Sequence, residues 1–172
     1  NDSTSVTFLG AYEGADPEAV DITSGHNKDH RPDCKQIGFG LNTSADGHVP
    51  LSYRVYDGKQ ADVTTHQPNW AYLREMLDKE DFIYVADSKL WSSDNLRSIA
   101  ENGRLFITVV PRNVREVKGF VHRVREGMDI EWQYQHAVPG SRKKGRVNTY
   151  RIHVGERIGE TQILWVHSDA KE

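Results

Sequence analysis

The feature that most restricts how this chain can fold is a change of hydrophobic period at Asp57-Gly58. Before it, the apolar residues sit in short runs rich in β-branched and aromatic side chains. After it, they recur at helical spacing and alternate with further strand-like runs. Ser3 to Leu9 reads as a first strand with Val6 and Phe8 on one face, stopped by Gly10. Ala11 to Cys34 is rich in Gly, Asp and His without a sustained period and reads as a long loop, functional or covered by a partner. Lys35 to Asn42 and Pro50 to Tyr56 are strand-like, and Asp46-Gly47 between them supplies the positive φ that a tight hairpin connection needs.

Beyond the switch, Trp70, Leu73, Met76 and Leu77 predict a helix, with Asp62, Thr64 or Thr65 available as its N-cap. Phe82 to Ala86 is a short continuous apolar run, which predicts a strand buried on both faces and ending at Asp87. Ser92 or Ser93 can cap a second helix running to Glu101, with Leu96, Ile99 and Ala100 inward and Asn102-Gly103 closing it. Leu105 to Val110 is the last strand of this part. Three antiparallel strands followed by βαβαβ describe an α/β, ribonuclease-H-like mixed sheet, because crossover connections return as parallel strands.

From residue 112 the pattern differs: a basic helix over Val114–Arg125, then strands over Ile130–His136, Val147–Val154 and Gln162–His167. The expected division is a core over residues 1–111 and a β-rich insertion over 112–172. Net charge is −3, but from Arg104 onward 13 Lys and Arg stand against 8 Asp and Glu, a balance of +5, which leaves −8 for the rest. The acidic part is where a metal site belongs. Arg142, Lys143, Lys144 and Arg146 in the basic part are candidate phosphate contacts, with a solvated hairpin loop as the bland alternative.

Composition narrows the classes. Hydrophobic residues make up 37% and charged residues 27%, which excludes a disordered tail, and no apolar run approaches a membrane span. Cys34 is the only cysteine, so an internal disulfide and a cysteine-based zinc site are excluded and a cytoplasmic location is expected. The start at Asn1-Asp2-Ser3-Thr4 has no Met and no signal-peptide pattern, and the chain reads as cut from a longer one.

In the expected topology the first strand and the Phe82–Ala86 strand are parallel neighbours, about 4.8 Å apart, so that Asp2 and Asp87 converge. Two carboxylates so placed can bridge divalent cations for phosphoryl transfer. Taken alone, an aspartate after a strand is more often a cap or turn former. Lys28, Arg31 and Lys35 are candidate phosphate contacts beside the loop, although Arg31 and Asp33 can equally pair with each other around Pro32. His26 and His30 read as loop residues rather than zinc ligands, and Trp70, Trp91, Trp132 and Trp165 as packing residues.

Four stretches carry a resemblance. Asn1-Asp2-Ser3-Thr4-Ser5-Val6 resembles the Asp-x-Thr-Ser strand motif of DDE transposases of the insertion-sequence-four group. The block from Gly25 to Gln36 (GHNKDHRPDCKQ) is similar to that group's G-[HY]-[NS]-K-D-x-R-P-D-x-K-Q block. Asp46-Gly47, Val49-Pro50 and Asp57-Gly58 through Asp62 and Thr65 resemble its hairpin and following D-G-N-x-x-D-x-x-T block, with Lys59 where the group has Asn. Tyr84-Val85-Ala86-Asp87-Ser88-Lys89-Leu90 matches the motif carrying its second catalytic aspartate.

The resemblance covers nearly all of residues 1–111. It implies a prokaryotic, nucleoid-associated enzyme that cleaves transposon-end DNA and joins it to target DNA. Such an enzyme uses two Mg²⁺ or Mn²⁺ ions and works as a homodimer in the synaptic complex. Asp2 and Asp87 would be catalytic metal ligands, and Lys89 a further DNA-contact candidate. The third catalytic residue, a Glu within Y-x2-R-x3-E-x6-K, has no counterpart: Glu131, Glu156, Glu160 and Glu172 lack Tyr and Arg at those offsets. The expectation is therefore that this chain stops before the Glu, binds metal weakly and does not transpose DNA. Two other classes stand beside the enzyme. One is an inactive DNA-binding or dimerising module of a decayed element, whose DNA binding would persist without metal. The other is a ribonuclease-H-like nuclease that hydrolyses without strand transfer.

Overall fold

The computed structural model describes residues 1–12, 16, 18–25, 31, 33–79, 81–101, 104–139 and 147–169. The chain is a mixed α/β protein, and its contacts divide it into two compact units, Asn1–Pro111 and Arg112–Glu172.

The first unit begins with an antiparallel sheet. β1 (Asp2–Phe8) pairs along its whole length with β3 (Lys35–Thr43), whose other edge pairs with β4 (Pro50–Tyr56). A two-residue strand, β2 (Thr23–Ser24), lies within the segment read as loop and pairs with Gln36 and Lys35 of β3. The β3–β4 hairpin turns where expected: Gly47 has φ +68°, a left-handed conformation that costs Gly nothing. Alternation gives this sheet two unlike faces. Val6, Ile37, Phe39 and Val55 share one, where Phe39 also stacks on Tyr53. Gln36 and Asn42 are buried on the other.

A 3-10 turn (Asp62–Thr64) leads into α1 (His66–Leu77). Thr65 occupies the N-cap position, but its hydroxyl bonds the Asp62 carbonyl (2.8 Å) instead of capping a helical N–H, because the preceding turn already holds it in a helical conformation. The buried stripe of α1 is His66, Asn69, Trp70 and Leu73, a run of i, i+3, i+4, i+7, while Met76, expected inward, is 38% exposed.

β5 (Ile83–Ala86) and β6 (Leu105–Thr108) form a parallel pair joined through α2 (Ser93–Ala100), which Ser92 caps by accepting from the Asn95 amide at 3.2 Å. The core of the unit is Trp70, Leu73, Tyr84, Ala86, Leu90 and Ile99, with Phe82, Leu96 and Phe106 against it.

Two expectations are corrected here. β5 is not buried on both faces: Tyr84 and Ala86 face the core, while Ile83 and Val85 are about half exposed, since among the described residues only one face is packed by helices. Nor, among the described residues, do β1 and β5 form a ladder: there β1 pairs with β3 and β5 with β6. The Asn1 backbone nitrogen, just before β1, donates to the Val85 carbonyl at 2.7 Å. The expected helix end at Asn102-Gly103 lies outside the described residues.

In the second unit, α3 (Arg115–Arg125) is basic as expected, and β7 (Tyr134–Pro139), β8 (Val147–Ile158) and β9 (Thr161–Ser168) form an antiparallel sheet. Phe120 of α3 stacks on Trp165 of β9, with ring centroids 3.7 Å apart and planes within 8°. Gly155 permits this: a Cβ there would sit 2.4 Å from the indole Nε1. No helix among the described residues is long and apolar enough to cross a membrane.

Candidate functional site

Asp2 is the first residue of β1, and Asp87 follows directly on β5. Each carboxylate is partly engaged by a local amide. Asp2 Oδ1 accepts from the Ser3 N–H at 2.9 Å, and Asp87 Oδ1 accepts from the Lys89 N–H at 2.9 Å, capping the 3-10 turn Ser88–Leu90. Thus the cap role that made Asp87 a weak signal by itself is real, yet it uses one oxygen only. The Asp87 carbonyl accepts from Thr108 Oγ1 at 2.5 Å, which ties the turn to the end of β6.

The two acids meet around Asn1. Its nitrogen is bonded to Val85, two residues before Asp87, and Asp2 is its chain neighbour.

Both are held near the α1 packing layer by the residues around them. Asn69 of α1 bonds Asn42 of β3 and Tyr84 of β5, so those two side chains share the helix-facing side. Asp2 lies opposite Leu41, the neighbour of Asn42, and Asp87 is three residues after Tyr84 in extended backbone (φ −70°, ψ −173°). Both acids are exposed, in contrast to the buried Asn42 and Tyr84.

Beneath them lies a buried polar network that the sequence reading missed. Asn42 and Asn69 exchange amide hydrogen bonds, each 2.9 Å. Asn69 Nδ2 also donates to the Tyr84 hydroxyl at 3.0 Å, and that hydroxyl lies 3.2 Å from His66 Nδ1. At the other end Asn42 Nδ2 donates to Ser52 Oγ, and Asn1 Nδ2 donates to Asn42 Oδ1, both at 3.0 Å. Burial pushes the Tyr84 phenol up to about 12. It pushes the His66 imidazole down, although the carboxylates of Asp87 and Asp62 pull the other way. One signal could have found the network: His66 and Asn69 fall on the same helical stripe as Trp70 and Leu73.

The cation candidates fare differently. Arg31 makes a two-pronged pair with Asp33, Nε to Oδ1 at 2.9 Å and Nη2 to Oδ2 at 2.8 Å; these bonds hold the Asp33 carboxyl down at about 2. Lys35 Nζ donates to the carbonyls of Ala11 and Tyr12. Lys89 is exposed beside Asp87. Lys28, Arg142, Lys143, Lys144 and Arg146, like His26, His30 and Glu172, lie outside the described residues.

Carboxylates are the hard oxygen donors that Mg²⁺ or Mn²⁺ prefers, and Mg²⁺ often takes only one or two from the protein, completing its shell with water and substrate phosphate. Asp2 and Asp87 suit that role, each with Oδ2 left over from its amide bond. No group of three or more His, Cys, Asp or Glu among the described residues is arranged to hold a metal. No protein-family model matches the chain, and no curated protein matches it.

Proposed function

We propose that this chain is the central, ribonuclease-H-like part of a DDE transposase, in which Asp2 and Asp87 hold the divalent cations for DNA cleavage and strand transfer. The observation that supports the reading is the Asn1–Val85 hydrogen bond, which brings the start of the strand bearing Asp2 to within two residues of Asp87, 85 residues away in sequence. The four motif stretches supply the family. The order of elements, an antiparallel sheet and then a parallel strand pair joined through a helix, supports it, although among the described residues β1 and β5 do not pair as that fold would have them.

Bound Mg²⁺ or Mn²⁺ would activate the attacking oxygen and neutralise charge on the phosphodiester. The chain's own share is positional. The Lys89 amide orients the Asp87 carboxylate, Thr108 holds the backbone beneath it, and the β1–β3 ladder fixes Asp2. Basic side chains contribute attraction for DNA: Lys89 stands beside the acids, and α3 of the second unit carries Arg115, Lys118, Arg123 and Arg125. Arg31 and Lys35 serve first to hold the loop, through Asp33 and through Ala11 and Tyr12.

The test is Mn²⁺ uptake by the purified chain, followed by loss of the free-ion electron paramagnetic resonance signal. Uptake by the parent is expected, and Asp2→Asn and Asp87→Asn should each abolish it with circular dichroism unchanged. Equal uptake by Asp87→Asn sinks the reading.

A further inference from the structure

We infer that the buried chain of polar groups from Asn42 through Asn69 to Tyr84 is a positioning device that sets the separation between Asp2 and Asp87. Among the described residues β1, which carries Asp2, and β5, which Asp87 follows, share no ladder, so backbone pairing holds their spacing only at the Asn1–Val85 bond. An apolar core could hold the same elements together but is non-directional, and packed apolar surfaces slide at small cost. Directional hydrogen bonds between buried groups do not slide, because a shift leaves amides unpaired at about 1–3 kcal/mol each.

The geometry fits that role. Asn69, 1% exposed, is the hub: one side chain on α1 bonds both β3, at the residue beside the partner of Asp2, and β5, three residues before Asp87. Asn1 closes the circuit from the other side, its side chain on Asn42 and its backbone on Val85. Each acid is thus one or two residues from an anchored position. The choice of residues supports it as well: two amides and a phenol stand at buried positions that apolar side chains would fill at lower desolvation cost.

Two variants and two readouts test this. Tyr84→Phe removes one hydroxyl and detaches β5 from the hub, while Asn42→Leu/Asn69→Leu replaces the amide pair by apolar groups, which can leave stability unchanged. Nitroxide labels at Thr4→Cys and Lys89→Cys, both exposed, with Cys34→Ala to remove the native thiol, report the β1–β5 separation by pulsed electron resonance without metal. Both variants should broaden or displace that distance distribution and weaken Mn²⁺ binding about tenfold, as loss of outer-shell support typically does. An unchanged distribution, whatever the melting temperature, overturns the inference. If the leucine pair does not fold, Tyr84→Phe decides alone.

The metal readout rests on the transposase reading, whereas the distance readout does not. A parent that binds no Mn²⁺ while its variants shift the distance defeats the metal reading and leaves the positioning device standing. Normal Mn²⁺ binding with unmoved distances does the reverse.

Discussion

Asp87 could be singled out as a candidate because an acid that ends an apolar strand run stands out against it, and Asp2 because it opens the strand motif; the buried His66, Asn42 and Asn69 could not. A polar side chain within an amphipathic pattern reads as surface, and only the packing of α1 against two separate strand groups turns it inward. His66 carries a measurable consequence. Its ring is buried, Nε2 has no hydrogen-bond partner among the described residues, and the folded-state pKa is depressed by burial. Below the unfolded value of about 6.5 the unfolded chain takes up a proton that the folded chain refuses, so stability is lost as the pH falls from there toward the depressed folded value. Urea unfolding at pH 7.5 and 5.5, values chosen to bracket the ordinary histidine pKa of about 6.5, should show a drop for the parent that His66→Gln reduces. An equal drop in the variant would place the pH sensitivity elsewhere.

Elements were read best where a local signal was sufficient. Ser92 or Ser93 before an apolar helical stripe predicted α2 and its cap, and the structure has the helix with Ser92 as the cap. Replacing Ser92 with Ala should cost about 1 kcal/mol in chemical denaturation, whereas Thr65→Ala removes no helix cap because the Thr65 hydroxyl bonds the Asp62 carbonyl. The reading failed where a run's environment mattered more than its composition. Phe82 to Ala86 is equally apolar whether one face or two are covered, so the exposure of Ile83 and Val85 could not be seen. β2, at two residues, is too short for any period and exists because β3 offers it an edge beyond the end of the β4 pairing.

For the whole molecule, the first unit leaves apolar sheet surface open. Ile83, Val85, Leu105 and Ile107 on the parallel pair are each half or more exposed, and Tyr53 on β4 is 67% exposed. Contiguous apolar surface of this kind promotes association. The purified 172-residue chain should therefore bind a hydrophobic dye and scatter light increasingly with concentration. Ile83→Thr/Ile107→Thr should lower both with little change in melting temperature, and equal dye binding in the variant would show that this face is not the source. Sequence by itself determined the order and type of the elements, since period, caps and turn residues act over neighbours a few positions apart. Tertiary structure alone decided which faces are covered, that Asn1 bonds Val85 while β1 and β5 share no ladder among the described residues, and that Asn42, Asn69 and Tyr84 join in one buried network. Those outcomes depend on contacts between residues dozens of positions apart, where closing the chain and pairing every buried polar group are settled together.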